Sequence, residues 1–192
     1  MQSLFNYIIS TKSRYNNKVN IGNKELIINT EVTERDYIFV NRIGTVVNTP
    51  ASLDTIIKKN DEVIVHHNVF RRWHNQHGIE KNSRAYIDED HYLVQPDQIF
   101  LYKTNKDWQA VKGYCFAAPV KSTEKLSADK EKPLVGIVKY TDGTVEKGDL
   151  IGFRPSSEYE FIIDGQKLYR LLSNFITIKY EYQGNEEEYN PS

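Results

Sequence analysis

The chain has 192 residues, 39% of them hydrophobic, with 13 Tyr and 8 Phe, enough for one large domain or two small ones with a real core. Its 25 Lys and Arg against 26 Asp and Glu leave a net charge of −1, which gives no global reason to expect nucleic acid or an anionic membrane as partner. Cys115 is the single cysteine, so no disulfide forms within the chain, and it reads as a small buried hydrophobe of a reducing compartment.

The opening stretch, MQSLFNYIISTKSR, lacks the charged start, long apolar run and cleavage site of a secretion signal. No segment has the apolar length that spans a bilayer, so a soluble, cytoplasmic protein is expected. SLFNYIIST (3–11) is rich in aromatic and β-branched residues and predicts a strand. Residues 12–36 are polar and Asn-rich and predict a long loop, interrupted only by the aliphatic run Leu26, Ile27 and Ile28. YIFVNRIGTVVN (37–48) is strand-like, and Gly44 within it suits a bulge or a close backbone approach. Lys59-Asn60-Asp61 is turn chemistry leading into the buried-strand run Val63-Ile64-Val65. Residues 85–103 predict a hairpin turning at Asp88-Glu89-Asp90, then Pro96-Asp97, then a last strand. No segment carries an apolar stripe of 3.6-residue period, so helix is expected to be scarce.

The same order of blocks then recurs. GYCFAAPVK (113–121) repeats the first strand, LVGIVKY (134–140) repeats RIGTVVN, and VEKGDLIGF (145–153) repeats IKKNDEVIV, with Asp149 matching Asp61. Residues 163–179 follow 87–103 at a constant offset of 76, with Ile87/Ile163, Asp88/Asp164 and Lys103/Lys179 identical. Such repetition outranks local readings. It predicts two copies of an all-β unit of about five short strands, each small enough to close into a barrel.

Other groupings carry less. His66, His67, His74 and His77 lie in the segment 66–84; a His74/His77 pair near Glu80 could touch a metal, but loop histidines on a polar surface account for them as well. Arg71, Arg72 and Trp73 mix basic and aromatic character as single-strand nucleic-acid binders do, yet one such cluster in a near-neutral chain reads more simply as a structural Trp with solvated arginines. No nucleophile elbow, phosphate loop or paired carboxylate constellation appears. No catalytic residue, metal, cofactor or enzyme activity is expected.

The blocks VGIVKY, VEKGDLIGF, EFIIDGQKLYRLLS and NFITIKY, and their counterparts IGTVVN, IKKNDEVIV, AYIDEDHYLVQ and DQIFLYK, resemble the GroES-type co-chaperonins, with Asn60 where that family prefers Gly. The resemblance implies two tandem GroES-like small β-barrels: a first barrel over 1–103 with a mobile loop at about 12–36 and an insertion at 66–84, a linker at 104–112, a second barrel over 113–182, and an acidic flexible tail at 183–192. In the family, a hydrophobic tripeptide in the loop after the first strand docks on the chaperonin. Here that tripeptide would be Leu26-Ile27-Ile28, burying its side chains on another protein. The implied partners are a nucleotide-loaded GroEL-type chaperonin and an unfolded client such as a capsid protein. The implied assembly is a ring-shaped homo-oligomer, a heptamer among its forms, with no nucleic acid and no membrane. The tandem form is similar to phage-encoded co-chaperonins acting in the host bacterial cytoplasm. Two departures are plain. The second copy has only STEKLSADKEKP (122–133) where the loop should be, and the family's roof hairpin is missing. A phage structural or assembly ring that kept the barrels without chaperonin binding is the alternative.

Overall fold

The structure, a computed structural model, describes residues 1–15, 18–21, 24–27, 40–104, 107–123, 130–181 and 184–190. The chain divides into two compact units, Met1–Asp107 and Trp108–Ser192. The first contains β1 (Tyr7–Ser10), β2 (Lys18–Ile21), β3 (Lys24–Ile27), β4 (Ile43–Asn48), β5 (Glu62–Val65), β6 (Arg72–His74), β7 (Glu80–Asn82), β8 (Tyr92–Val94) and β9 (Ile99–Thr104). The strand β10 (Asp107–Ala110) lies at the boundary. The second contains β11 (Tyr114–Lys121), β12 (Glu131–Thr141), β13 (Leu150–Phe153), β14 (Tyr159–Ile163), β15 (Gln166–Leu172) and β16 (Ile176–Tyr180). The protein is all-β, with short 3₁₀ turns at Pro96–Gln98 and Ser173–Phe175.

Two six-stranded sheets have the orders β10-β9-β5-β4-β1-β8 and β14-β15-β11-β12-β13-β16. Read from the other end, the first contains β8-β1-β4-β5-β9, and the second contains β15-β11-β12-β13-β16. Strand for strand the two paths are the same, so the repeat read from the sequence is a repeat of topology. Its details also coincide. The ladder between β1 and β4 slips between Ile8 and Ile9, and that between β11 and β12 slips between Phe116 and Ala117. The ladders β5–β9 and β13–β16 slip between Ile64 and Val65 and between Gly152 and Phe153.

The turn before the central strand is built identically. Asp61 Oδ2 accepts from the Lys58 N–H at 2.8 Å, and Asp149 Oδ2 accepts from the Glu146 N–H at 2.8 Å. The Asn60 and Gly148 amides each donate back at 2.8 Å, to Val46 and Val138. Both residues sit at positive φ, 73° and 93°. That conformation explains Gly148, and it explains why Asn, the non-glycine residue that best tolerates the left-handed region, can stand at 60.

Neither sheet closes into a barrel by hydrogen bonding among the described residues, contrary to the expectation of two closed barrels. Connectivity nevertheless forces each to curl. β8 and β9 stand four strand spacings apart in sheet order, roughly 19 Å if flat. Only Gln95–Gln98 join them, and five residue steps span about 17 Å at full extension. A 3₁₀ turn shortens that path further. The same holds for β15 and β16, joined by Ser173–Phe175. The curl wraps the cores: Ile8, Ile9, Val46, Val63, Ile64, Phe70, Tyr92 and Leu101 in the first unit, and Cys115, Ala117, Val138, Ile151, Phe153 and Leu171 in the second.

Three boundaries differ from expectation. The presumed linker 104–112 contains β10. The acidic tail folds back: Glu188 bridges Val120, the Lys121 amide donates to Glu187, the Tyr189 amide donates to Pro119, and the Lys139 ammonium pairs with Glu188. The third is the loop 12–36, which carries the candidate site.

Candidate functional site

The chain leaves the first sheet after Ser10 and returns at Ile43. The segment is closed at its neck, where Tyr15 bridges Val40 and the Asn41 amide donates to Arg14 at 2.9 Å. Beyond the neck the described residues, 18–21 and 24–27, are paired strands. β2 and β3 form an antiparallel ladder pairing Lys18 with Ile27, Val19 with Leu26, Asn20 with Glu25 and Ile21 with Lys24. This ladder is a two-stranded sheet separate from the six-stranded one. The signal for it was present in the sequence: Gly22-Asn23 between two four-residue runs is a pair suited to a two-residue hairpin connection.

Of the tripeptide, Leu26 is 51% exposed. Ile27 lies at the end of β3, and Ile28 falls outside the described residues. Leu26 is therefore apolar surface presented by a hairpin that belongs to no larger sheet. Two strands alone are marginally stable in water, so such a hairpin can rearrange against a partner at modest cost.

The neck rests on the insertion 66–84, which sequence reasoning left without structure. Its start is core: Val69 and Phe70 are fully buried, and the Phe70 ring meets Tyr92 edge-on at 4.8 Å. Its remainder is the hairpin β6–β7, pairing Arg72 with Asn82 and His74 with Glu80. Arg14 reaches into it, donating to the Phe70 carbonyl at 3.1 Å and to Asn82 Oδ1 at 2.7 Å. Tyr15 Oη donates to the Arg72 carbonyl at 2.8 Å, and the Arg72 guanidinium lies over the Tyr15 ring. Glu80 faces both arginines, at 3.7 Å from Arg14 and 3.5 Å from Arg72. Arg14, Tyr15 and Asn82 were not flagged in the sequence, because their role depends on a contact across more than 50 residues.

Of the histidines, His67 is held down to about 4 by burial first, then by His66, Arg42 and Arg71, so it is neutral at pH 7. No three His, Cys, Asp or Glu side chains converge on a metal-sized site among the described residues. Asp88, at the expected turn, accepts from the Asp90 amide and pairs with His91 Nδ1 at 2.8 Å, which is turn architecture. No helix among the described residues is long and apolar enough to cross a membrane. No family model and no curated protein matches the chain.

Proposed function

We propose that the protein is a co-chaperonin: two GroES-like small barrels in tandem, assembled as a ring-shaped homo-oligomer that caps a nucleotide-loaded GroEL-type chaperonin. The observation that carries the reading is the exposed Leu26 on a separate hairpin, inserted between the first strand and the glycine strand of a duplicated fold. Leu26, Ile27 and Ile28 are the docking side chains. The repeated five-strand path and the curl it imposes support the barrel assignment. In the second unit the corresponding interval is short: Lys121 already pairs with Glu131. One copy docks and the other supports.

Magnitudes favour a cycling lid. Burying three aliphatic side chains contributes about 2 kcal/mol each, roughly 6 in total. Ordering the segment costs on the order of 1 kcal/mol per residue. A pre-paired hairpin lowers that cost, but one docking site alone remains weak. A ring that presents several sites at once gains by avidity and still releases when the partner's grooves change shape. β16, one of the two outermost strands of the second sheet, offers an edge for a neighbouring copy to cover. Phage origin, a capsid client and the host cytoplasm belong to this proposal.

The test is direct. Purified protein is mixed with the cognate bacterial chaperonin and nucleotide, and complexes are sought by sedimentation and negative-stain imaging. The reading expects a complex with the parent and none when Leu26, Ile27 and Ile28 are all changed to Ser. A parent that never binds, or a variant that binds equally well, refutes it.

A further inference from the structure

The two units differ in a pair of features that occur together. The first carries the long segment between β1 and β4 and also the insertion at 66–84. The second carries neither: Lys121 already pairs with Glu131, and the chain passes from β13 to β14 through residues 154–158. Both units nevertheless build the same five-strand path. That path therefore does not require the insertion's hairpin, and the hairpin's contacts show what does. Arg14 and Tyr15, just ahead of β2, reach it from the docking segment. The Arg14 guanidinium donates to the Phe70 carbonyl at 3.1 Å, the Arg71 carbonyl at 3.4 Å and Asn82 Oδ1 at 2.7 Å, and it lies 5.5 Å from the centre of the Tyr86 ring. Its charge faces Glu80 at 3.7 Å. Tyr15 is 4% exposed; its hydroxyl donates to the Arg72 carbonyl at 2.8 Å and accepts from the Arg72 amide at 3.0 Å.

The returning limb of the segment is tied at the same place. Tyr15 bridges Val40, which is buried, and the Asn41 amide donates to the Arg14 carbonyl. The Asn41 carboxamide donates to Thr11 Oγ1 at 2.8 Å and to the Ser13 carbonyl at 2.7 Å. Outgoing limb, returning limb and insertion thus meet at one point, immediately before Lys18 begins β2. A planar fork that spans several acceptors at once satisfies them in one orientation only, so the limbs leave the first sheet on a fixed bearing. A segment closed at its base also has less freedom to lose when its far end docks. We infer that the insertion is a positioning device for the docking segment, with Arg14 and Tyr15 as its anchors, so that Leu26 is presented from a set base. The inference rests on the co-chaperonin reading. The second unit has no docking segment to hold, and accordingly it has no hairpin to hold one.

The experiment compares the full-length parent with R14M, Y15F, N82A and R14M/N82A. R14M keeps the aliphatic stem and Y15F keeps the ring, so circular dichroism should show both folded; N82A tests the same clamp from the insertion's side where either proves unstable. The first readout, hydrogen exchange at the Asn41 amide, needs no partner. R14M and Y15F are expected to raise its rate by at least about tenfold while exchange in β5 and β13 stays as in the parent. The second readout is affinity for the cognate chaperonin with nucleotide, which each is expected to weaken by at least about tenfold. R14M/N82A should bind no more weakly than R14M, because both changes break one clamp. Side chains that only stabilised the sheet would speed exchange in β5 and leave the affinity of the folded protein unchanged. A parent that binds with variants that bind as tightly, or an Asn41 amide that exchanges no faster in the variants, overturns this inference and leaves the lid reading standing. A parent that never binds overturns both.

Discussion

Replacing Gly136 with Ala should destabilise the second unit. A Cβ at this position would stand 2.9 Å from the Ala117 Cβ, 3.0 Å from the Ala118 carbonyl oxygen and 3.6 Å from Phe153 Cε1. The first two are a side chain with no rotamer to yield and a backbone atom of the paired strand, so the sheet itself must move. Overpacking of that kind costs about 1–3 kcal/mol, and the lower entropy of the unfolded Ala chain returns about 0.4–1 kcal/mol. The net is a loss of about 1–2 kcal/mol, which lowers Tm by roughly 5–15 °C in a unit of this size. Urea and thermal unfolding at pH 7 measure it, and the double variant G136A/A117G should recover part of the loss by removing the closest contact. Gly44 occupies the equivalent place. Its Cβ would meet Ile9 Cδ1 at 3.0 Å, the Ser10 carbonyl oxygen at 3.0 Å and Phe70 Cζ at 3.1 Å. Ile9 can rotate, so G44A should cost less than G136A. A G136A protein as stable as the parent would refute the argument that close strand approach dictates glycine here.

Two further outcomes follow from the second unit's interior. Lys167 Nζ bonds Glu131 at 2.9 Å and Glu160 at 3.2 Å; burial acts to lower its pKa, but the hydrogen bonds to Glu131, Tyr169 and Glu160 outweigh it and hold the ammonium charged above the ordinary lysine range. Burial, then the Glu131 carboxylate, pushes the Tyr169 hydroxyl up to about 12. Both groups hold protons more tightly folded than unfolded. Their stabilisation is therefore complete below about pH 10, the ordinary range of both groups, and is lost as pH rises through the folded values. Urea midpoints should fall from about pH 10 upward, K167M should flatten that fall, and an unchanged slope in the variant would refute the assignment. Cys115 is fully buried, and burial first, then Asp142, pushes its thiol up to about 12. A thiol reagent at pH 8 should label it only when the protein is unfolded; rapid labelling in native buffer would contradict this.

The fold class was legible because short β-branched runs, turn residues and the absence of helical periodicity all point one way. Val63-Ile64-Val65 is such a run, and it is buried on both faces, as a central strand requires. The turn ending at Asp61 and Asp149 was legible because its chemistry is local: a carboxylate three residues on caps its own turn. The neck of the docking segment was not. Arg14 and Tyr15 look like ordinary loop residues until the insertion packs beneath them. The tail was misread for a related reason. Glu186-Glu187-Glu188 has the composition of a solvated end, but main-chain pairing with Pro119–Lys121 needs no apolar side chain and leaves no compositional trace. Nor did composition mark the first unit's pocket, whose lining brings Asn6, the insertion, Ala85, Leu93, Gln95 and Gln98 together.

The sequence repeat and the structural repeat also differ by one residue, and the difference separates identity from equivalence. Lys103 stands opposite Glu62, while Tyr180 stands opposite Leu150, the residue that matches Glu62. The true offset is therefore 77 (180 less 103), and Tyr102, not Lys103, is the counterpart of Lys179. The ladders β1–β8 and β11–β15 agree: Tyr92 opposite Ile9 matches Tyr169 opposite Ala117, again 77 apart. A slip of one residue turns every side chain to the other face. The environments follow the register rather than the residue names. Lys103 pairs across the ladder with Glu62, whereas Lys179 reaches Asp149 at 2.8 Å. Tyr102 is buried in the first unit, and its counterpart Lys179 is exposed in the second. Ungapped identities at 76 were thus coincidence in side chain laid over a real recurrence in backbone. What the two halves share is carried by strand order, bulge positions and one aspartate-capped turn, which fix the residue type at only a few positions. That is why so few identities can accompany so complete a repetition.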